Sequence, residues 1–201
     1  MEEAARLFNT KGYATASMDE IAAACKCDVA NLYNYFPSKE HILYEGIKYV
    51  IAFSVGITEE VEKKTRLTPA GKLRELIVRQ LEARASSIYS DLFSKHRANL
   101  EPEHIRDLIA IRDVYDSKMR RIIADGIKAG EFRPVDEKIV STLISSFIER
   151  FLLWYSPKGR LTPVQVADML FDLLTNGIGR QEGRTRTASG RPERRSSKKS
   201  K

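Results

Sequence analysis

A chain of 201 residues is long enough to bury a sizeable apolar core in one large domain or two small ones. Its hydrophobic fraction of 42% and charged fraction of 30% are typical of a globular protein. No run of 18 or more apolar residues is present, so we expect no membrane span. The acidic start lacks the basic residues of a signal peptide. We therefore expect a cytoplasmic protein with no membrane partner.

The formal net charge of +7 belongs to the end of the chain. Residues 180–201 contain nine Lys or Arg against two Asp or Glu, so the first 179 residues sum to zero. The Ser, Gly, Arg and Lys content of this tail predicts disorder. The tail either adds non-specific affinity for phosphate groups or is a solvated end without a role.

The first part of the chain predicts three short helices. Apolar residues recur with a helical period nearly everywhere and no alternating strand-like run is present, so the fold class is all-α. Ser17 and Glu20 have the spacing of a capping box, and Asp28 is a candidate N-cap. The predicted helices are residues 2–11, 17–24 and 28–35.

Longer helices follow, and most begin at a proline or a capping residue. Residues 39–64 form one, Thr68-Pro69 opens the next, Pro102 opens a long one that Gly130 ends, Asp136 caps residues 139–155, and Thr162-Pro163 opens a last helix that ends at Asn176-Gly177. The predicted organisation is a DNA-binding unit at residues 1–45, a ligand-binding and dimerisation domain at 46–179, and the basic tail at 180–201.

Two short helices joined by a tight turn within a three-helix unit are typical of a helix-turn-helix. In the second of the pair, Leu32 and Phe36 are four residues apart and should face the core. The side chains left outward include Asn, which can pair with adenine, and Val and Ala, which can touch a thymine methyl group. Tyr hydroxyls and Lys39 suit phosphate oxygens. This pattern predicts binding of double-stranded DNA.

The same residues resemble the TetR family of transcription regulators. The match consists of Ala4-Ala5-Arg6-Leu7-Phe8, Gly12-Tyr13, Ser17, Ile21-Ala22 and Leu32-Tyr33-Asn34-Tyr35-Phe36-Pro37-Ser38-Lys39-Glu40. The resemblance implies a homodimeric repressor that binds a palindromic operator and releases it when a small molecule binds. Carried over by position, the base-facing set is Val29, Ala30, Asn31 and Asn34, and the phosphate-facing set is Ser17, Tyr33, Tyr35 and Lys39. Two alternatives stay open: a Tyr33 ring packed beneath the helix, and an ordinary surface role for Lys39.

The sequence also departs from the family's pattern. Lys26 stands where the turn usually has Gly, and Lys is disfavoured at positive φ. Asp28 replaces the usual Ser or Thr, and its charge would repel a nearby phosphate. Relatives usually carry one or two further turns before the first helix, so the chain is expected to begin late. These departures leave open a helical small-molecule-binding protein with impaired DNA binding.

The predicted helix at residues 139–155 is apolar almost all round and must be buried on more than one side. One side should meet its own domain. The other could meet the same helix of a second subunit, forming a four-helix interface with the last helix. Arg150 lies four residues before Trp154, so we expect the two side chains to share a face.

Arg150, Trp154 and Arg112, which lies inside an apolar helix, are the predicted ligand-binding residues. The alternative for Arg150 is an ion pair with Glu149 or another acid at the subunit boundary. The C-terminal part, from Arg112 and Tyr115 to Trp154-Tyr155-Ser156-Pro157, is loosely similar to repressors of fatty-acid and sterol-ring degradation that respond to acyl-CoA thioesters. That similarity implies an acyl-CoA effector.

Two other classes of site are not indicated. Cys25 and Cys27 are too close for an ordinary disulfide and lack a partner for a zinc set, so we expect small residues in a reduced cytosol, with a redox sensor as the alternative. The three histidines have neither triad-like nor metal-like spacing, and no glycine-rich phosphate loop is present. We expect no enzymatic activity, no metal and no cofactor, and keep a helical enzyme as a third hypothesis.

Overall fold

A computed structural model describes residues 1–89 and 92–177, with the backbone alone for Phe93 and Ser94. All regular structure within these residues is helical, which confirms the predicted all-α fold. The predicted basic tail and the last two residues of the predicted ligand-binding domain lie outside the described residues.

Nine α-helices lie within the described residues. They are α1 (Glu2–Thr10), α2 (Met18–Cys25), α3 (Val29–Tyr35), α4 (Lys39–Glu62), α5 (Pro69–Ser86), α6 (Leu92–His96), α7 (Pro102–Lys128), α8 (Glu137–Arg150) and α9 (Pro163–Asn176). Two 3₁₀ turns, Arg97–Asn99 and Phe151–Leu153, follow α6 and α8.

The helix starts follow from local side-chain chemistry. Ser17 accepts a hydrogen bond from the Glu20 N–H at 3.2 Å, while the Glu20 carboxylate accepts from the Ser17 N–H at 3.1 Å. Thr162 and Gln165 form the same reciprocal box at the start of α9. Prolines occupy the first turn of α5, α7 and α9, where their missing N–H would have had no helical partner.

One sequence prediction about a helix end is wrong, and one predicted N-cap is confirmed in position only. The helix predicted to reach Tyr155 ends as an α-helix at Arg150 and tightens into the 3₁₀ turn, because this places Phe151 in the core. Asp28 occupies the N-cap position of α3, but its side chain makes no capping hydrogen bond.

The apolar side chains form two clusters that α4 connects. Phe8, Ile21 and Leu32 pack with the first half of α4 in a small N-terminal cluster, which Leu92, Leu100 and Leu108 also join. In the larger cluster, the second half of α4 packs with α5, α7, α8 and α9. One continuous helix therefore belongs to both cores.

Candidate nucleic-acid interface and ligand cavity

One face of α3 projects away from the protein. Leu32 is buried and Phe36 half-buried, as their spacing predicts. The remaining side chains include two large aromatic rings, Tyr33 at 48% exposed and Tyr35 at 72%. Ala30, Asn31 and Asn34 are also exposed, and Val29 is half-buried. The helix thus offers amides, phenols and small apolar groups on a convex surface, which suits the width of a DNA major groove.

The turn between α2 and α3 keeps its shape without a glycine. Lys26 takes the left-handed conformation at φ 56°. The N–H of Cys27 donates to the Ala22 carbonyl at 3.0 Å and that of Lys26 to Ala23 at 3.1 Å, the two bonds of a Schellman ending. A non-glycine residue in this conformation costs about 1–2 kcal/mol. The departure from the family's pattern at Lys26 is therefore absorbed as backbone strain, and α3 is still presented outward.

Ser17 and its capping partner form an exposed corner next to α3. Lys11 donates to the Glu20 carboxylate, and this bond, with that from the Ser17 N–H, holds the pKa of Glu20 below its usual range. The Ser17 oxygen accepts from the Glu20 N–H, which leaves its own hydroxyl proton able to donate outward.

Lys39 points into the protein. Its ammonium donates to the carbonyl oxygens of Tyr13 and Ala16, both at 2.7 Å, and lies 4.4 Å from the centre of the Tyr13 ring. The side chain therefore fastens the loop before α2 to the first turn of α4. Neither sequence interpretation of Lys39, as a phosphate contact or as a surface lysine, anticipated this internal role.

A compartment in two parts lies between the helices that follow. An outer chamber of about 350 Å³ opens between α1, α4, α5 and residues 86–89. An inner chamber of about 60 Å³ reaches α7 and α8. The two share lining residues from α4, α5 and the segment after α5, so they adjoin: Val50, Ser54, Gln80, Arg84 and Tyr89.

Both apolar and polar side chains line the inner chamber. Arg112 lines it and donates to the Glu149 carboxylate at 3.0 Å. The Gln80 amide donates to the Ser54 carbonyl at 2.9 Å. Tyr115 also lines this chamber, and its hydroxyl is buried near Ser145.

Of the three predicted ligand-binding residues, the structure brings only Arg112 to this compartment. Arg150 is exposed, and Glu149, its proposed ion-pair partner in the alternative interpretation, binds Arg112 instead. Trp154 is 54% exposed, and its ring packs edge-on against Phe147 and Phe151. The early end of α8 separates the two residues from the expected shared helical face.

Sequence reasoning missed several lining residues. Gln80 had a readable signal, because it is a polar residue in the buried stripe of α5 with Leu76, Ile77 and Leu81. Arg84 follows it by one helical turn. Tyr89, Glu2 and Arg6 gave no such signal, because their position depends on how α1 docks against the segment after α5.

The N-terminal unit lines part of the outer chamber, whose opening to solvent we call the mouth. Glu2 and Arg6 of α1 line the outer chamber. From the same helix, the Asn9 side-chain amide donates to the Ile88 carbonyl at 2.8 Å, and Ile88 also lines that chamber. The helix that packs behind α2 therefore touches the space a ligand would enter.

Large apolar side chains of α8, the 3₁₀ turn after it and α9 are exposed, and we call this set the exposed apolar face. Ile139 is 68% exposed, and the others are Leu143, Leu153, Trp154, Met169 and Leu173. Large apolar side chains clustered on a surface usually mark an interaction site.

Other site types leave no trace in the part of the chain that the structure describes. Its helices are too short or too polar to cross a membrane. Within residues 1–89 and 92–177, no three His, Cys, Asp or Glu side chains surround a common metal position.

Comparison with known proteins relates both parts of the chain to one family. Residues 1–45 match the family model for bacterial regulatory proteins of the tetR family, and residues 66–178 match that for the tetracyclin repressor-like C-terminal domain. The transcriptional repressor KstR2 of Mycolicibacterium smegmatis is 26% identical over 190 residues, which cover 91% of this chain and 90% of the relative.

Two solved structures are similar over most of their length. The TetR-family regulator PfmR of Thermus thermophilus superposes with a TM-score of 0.82 at 29% identity, covering 89% of this chain and 98% of that one. AibR, solved in complex with isovaleryl coenzyme A and operator DNA, superposes with a TM-score of 0.76 at 28% identity, covering 87% and 95%.

Proposed function

This chain belongs to the TetR family of bacterial regulatory proteins, and from that premise we propose that it is a cytoplasmic repressor released from its operator by an acyl-CoA thioester. The observation that carries the proposal is the position of α1, which packs with the helix-turn-helix and also lines the mouth of the compartment. Ligand entry and DNA binding thus depend on one helix.

The DNA-contacting surface is α3 with the residues beside it. In this proposal the exposed Asn31 and Asn34 pair with adenine edges, and Val29 and Ala30 touch thymine methyl groups. Tyr33, Tyr35 and Ser17 present hydroxyls for phosphate oxygens. The bonds that Lys39 makes inside the protein favour a positioning role, in which it sets the loop that carries Ser17.

The exposed apolar face on α8 and α9 is where a second copy binds. A two-fold dimer buries the same patch on both subunits, which would remove Ile139, Leu143 and Met169 from water at once. It also sets two copies of α3 to read half-sites about 34–36 Å apart on a palindromic operator.

The compartment suits a ligand with an apolar body and an anionic head. The side chains of Ile47, Ile51 and Ile148 line the inner chamber. An acyl chain bound against them would transfer its apolar surface out of water, which is favourable. The phosphates of coenzyme A are too strongly hydrated to follow it inward. They would remain at the mouth, where Arg6 and Arg84 offer guanidinium groups of the kind that bind phosphate. The structural relative AibR is titled as binding isovaleryl coenzyme A, which supports this class of ligand.

Release of the operator would follow because α1 belongs both to the DNA-binding unit and to the lining of the outer chamber. A ligand between α1 and the segment after α5 would alter the Asn9–Ile88 contact and with it the seating of α1. A displacement of α1 changes the spacing of the two α3 helices in the dimer, so the affinity for the operator falls. We propose that the thioester is bound and not hydrolysed.

The test is a binding assay on genomic DNA fragments with purified protein. The protein should retain a palindromic fragment, and isovaleryl-CoA or a longer acyl-CoA should release it while free coenzyme A does not. Asn34→Ala should weaken binding of that fragment more than binding of unrelated DNA.

Two results would contradict the proposal in different ways. Binding of acyl-CoA without affinity for any fragment would favour the alternative of a small-molecule-binding protein with impaired DNA binding. Retention of the operator at saturating acyl-CoA would reject the effector class, and free acid released from the bound thioester, detected by mass spectrometry, would indicate an enzyme.

A further inference from the structure

The DNA-binding unit, residues 1–45, carries more negative than positive charge. It contains four Lys or Arg against seven Asp or Glu, a formal net charge of −3. The attraction of a protein to DNA comes mainly from Lys and Arg, which neutralise phosphates and release the cations condensed on the duplex. The unit that holds α3 therefore lacks, on balance, the charge that attracts a protein to DNA.

Three of the four cations in this unit are already bound to other groups of the protein. Lys39 donates to two loop carbonyls inside the fold. Lys11 donates to the Glu20 carboxylate, and Arg6 forms an ion pair within α1 and lines the outer chamber. The fourth cation, Lys26, is exposed in the turn before α3. A phosphate near α3 would thus meet little positive charge from this unit.

The groups proposed to face the DNA backbone do not make up for this shortage. The contacts proposed for Ser17, Tyr33 and Tyr35 use hydroxyl groups, which position a protein on the duplex without neutralising a phosphate. The exposed carboxylates of Asp19, in the first turn of α2, and Asp28, before α3, would repel the duplex. The surface around α3 can read a sequence but contributes little electrostatic attraction of its own.

The positive charge of the chain is concentrated in residues 180–201. They contain nine Lys or Arg against two Asp or Glu, whereas residues 46–179 contain 21 against 18. The 24 residues after Gly177 can span at most about 80 Å when fully extended. Helix α4, which runs from the N-terminal core into the larger one, is about 36 Å long. A segment that begins at the end of α9 is therefore long enough to reach a duplex bound at α3.

We infer that residues 180–201 bind the phosphate backbone of DNA and supply most of the electrostatic affinity of the repressor, while α3 supplies the sequence preference. This inference rests on the proposed function. Phosphates are the same in every sequence, so the segment strengthens binding to operator and to unrelated DNA by the same factor. A repressor that its ligand has released from the operator would then stay on neighbouring DNA through this segment.

Two full-length variants of residues 180–201 test the inference. In the first, all nine Lys and Arg are replaced by Gln. In the second, the order of the same residues is shuffled, so that composition and charge are kept; this is the matched control. Fluorescence anisotropy gives the affinity of each protein for a palindromic operator fragment and for an unrelated fragment of equal length, at salt concentrations from about 50 to 200 mM.

The wild type and the shuffled variant should show the same steep fall of affinity with salt. For the Gln variant, the slope of log K against log salt should be smaller by about four or more per dimer, since each neutralised phosphate contributes about 0.9. Its affinity for both fragments should fall by a similar factor, at least about tenfold at the lowest salt concentration. The ratio of the two affinities should stay near that of the wild type.

A Gln variant with the affinity and salt slope of the wild type would overturn the inference and leave the proposed function intact. A loss confined to the operator fragment would also overturn it, because a phosphate contact does not distinguish the two sequences. So would a shuffled variant that behaves like the Gln variant, since charge alone would then not be the cause.

Vesicles of phosphatidylglycerol test the other polyanion that such a segment could meet. Unchanged DNA binding by the Gln variant, together with loss of vesicle binding, would assign the charge to a membrane surface instead. Failure of the wild-type protein to bind any DNA fragment would reject the repressor function itself, and this inference with it.

Discussion

Lys39 joins two segments that are far apart in sequence. Its ammonium bridges the carbonyls of Tyr13 and Ala16, in the loop before α2, to the start of α4. Hydrogen bonds from a charged donor are stronger than neutral ones, and here one donor satisfies two loop carbonyls. Ser17 follows the loop directly, so the position of a proposed phosphate contact depends on this lysine.

Lys39→Met keeps the apolar stem and removes the charge. We expect it to lower the free energy of unfolding by about 1–2 kcal/mol, because two charge-assisted hydrogen bonds of a half-buried group are lost. Urea denaturation followed by circular dichroism measures this change. Operator affinity should fall too, through the displaced loop.

Lys26→Met is the control, since Lys26 is an exposed lysine of the same unit and loses the same charge. It should leave stability nearly unchanged. If Lys39→Met were as stable as the wild type but showed a salt dependence of operator binding reduced by about one phosphate contact, Lys39 would be a direct DNA contact after all.

Residue-level prediction from sequence succeeded where a side chain acts on its near neighbours. Spacings of a few residues predict the Ser17–Glu20 capping box, the burial of the Leu32 side chain and the unfavourable φ of Lys26. The partners of Lys39 are 23 and 26 residues away along the chain. No local pattern encodes such a contact, because it depends on how the helices dock.

Helix α1 connects the helix-turn-helix to the ligand compartment. Its buried residues Ala4, Ala5 and Phe8 pack in the N-terminal core. On another side, Arg6 lines the mouth and Asn9 holds the Ile88 carbonyl. Such a helix can transmit a ligand's presence only if the contact at Ile88 differs between the two states.

Asn9→Ala should weaken the coupling between ligand and operator. The variant keeps the apolar packing of α1 but loses the hydrogen bond to Ile88, so the ligand loses one means of displacing α1. We expect operator affinity without ligand to stay near that of the wild type, and the ratio of affinities with and without acyl-CoA to shrink several-fold. Fluorescence anisotropy with labelled operator measures both.

Thr10→Ala is a suitable control on the same helix, because the Thr10 hydroxyl donates to the Arg6 carbonyl one turn earlier within α1. It should leave the coupling ratio unchanged. An Asn9→Ala protein that released DNA at the wild-type acyl-CoA concentration would show that the signal travels by another route.

Element-level prediction depended on length. The longer amphipathic helices were recognised because their apolar period extends over several turns. Helix α6 has only five residues, too few for a period to emerge, and it was missed. The end of α8 was misplaced because residues 139–155 are apolar throughout, and the tightening at Phe151 is set by core packing and not by a breaker residue.

At the scale of the whole molecule, α4 and the exposed apolar face connect the two functions. α4 contributes Ile42, Leu43 and Ile47 to the N-terminal core and Ile57 and Val61 to the larger one. The larger core also anchors α8 and α9, whose outer faces remain apolar and uncovered in one subunit. In the proposed dimer, a pairing of α8 and α9 would set the orientation of α3 through a body that α4 links to the DNA-binding unit.

Leu143→Glu tests this arrangement, because Leu143 is 56% exposed within the proposed dimer face. A charge there would be desolvated without a partner in the dimer, yet would meet only water in the monomer. We expect the variant to stay folded, to elute as a monomer in size-exclusion chromatography with light scattering, and to lose operator affinity by roughly 100-fold, since one half-site is no longer bound jointly with the other. Ile109→Glu introduces the same charge at a partly exposed apolar residue of α7 and should leave both dimer and affinity in place. A dimeric Leu143→Glu protein with unchanged affinity would move the interface away from α8 and, with it, the spacing that relates the two α3 helices to a palindromic site.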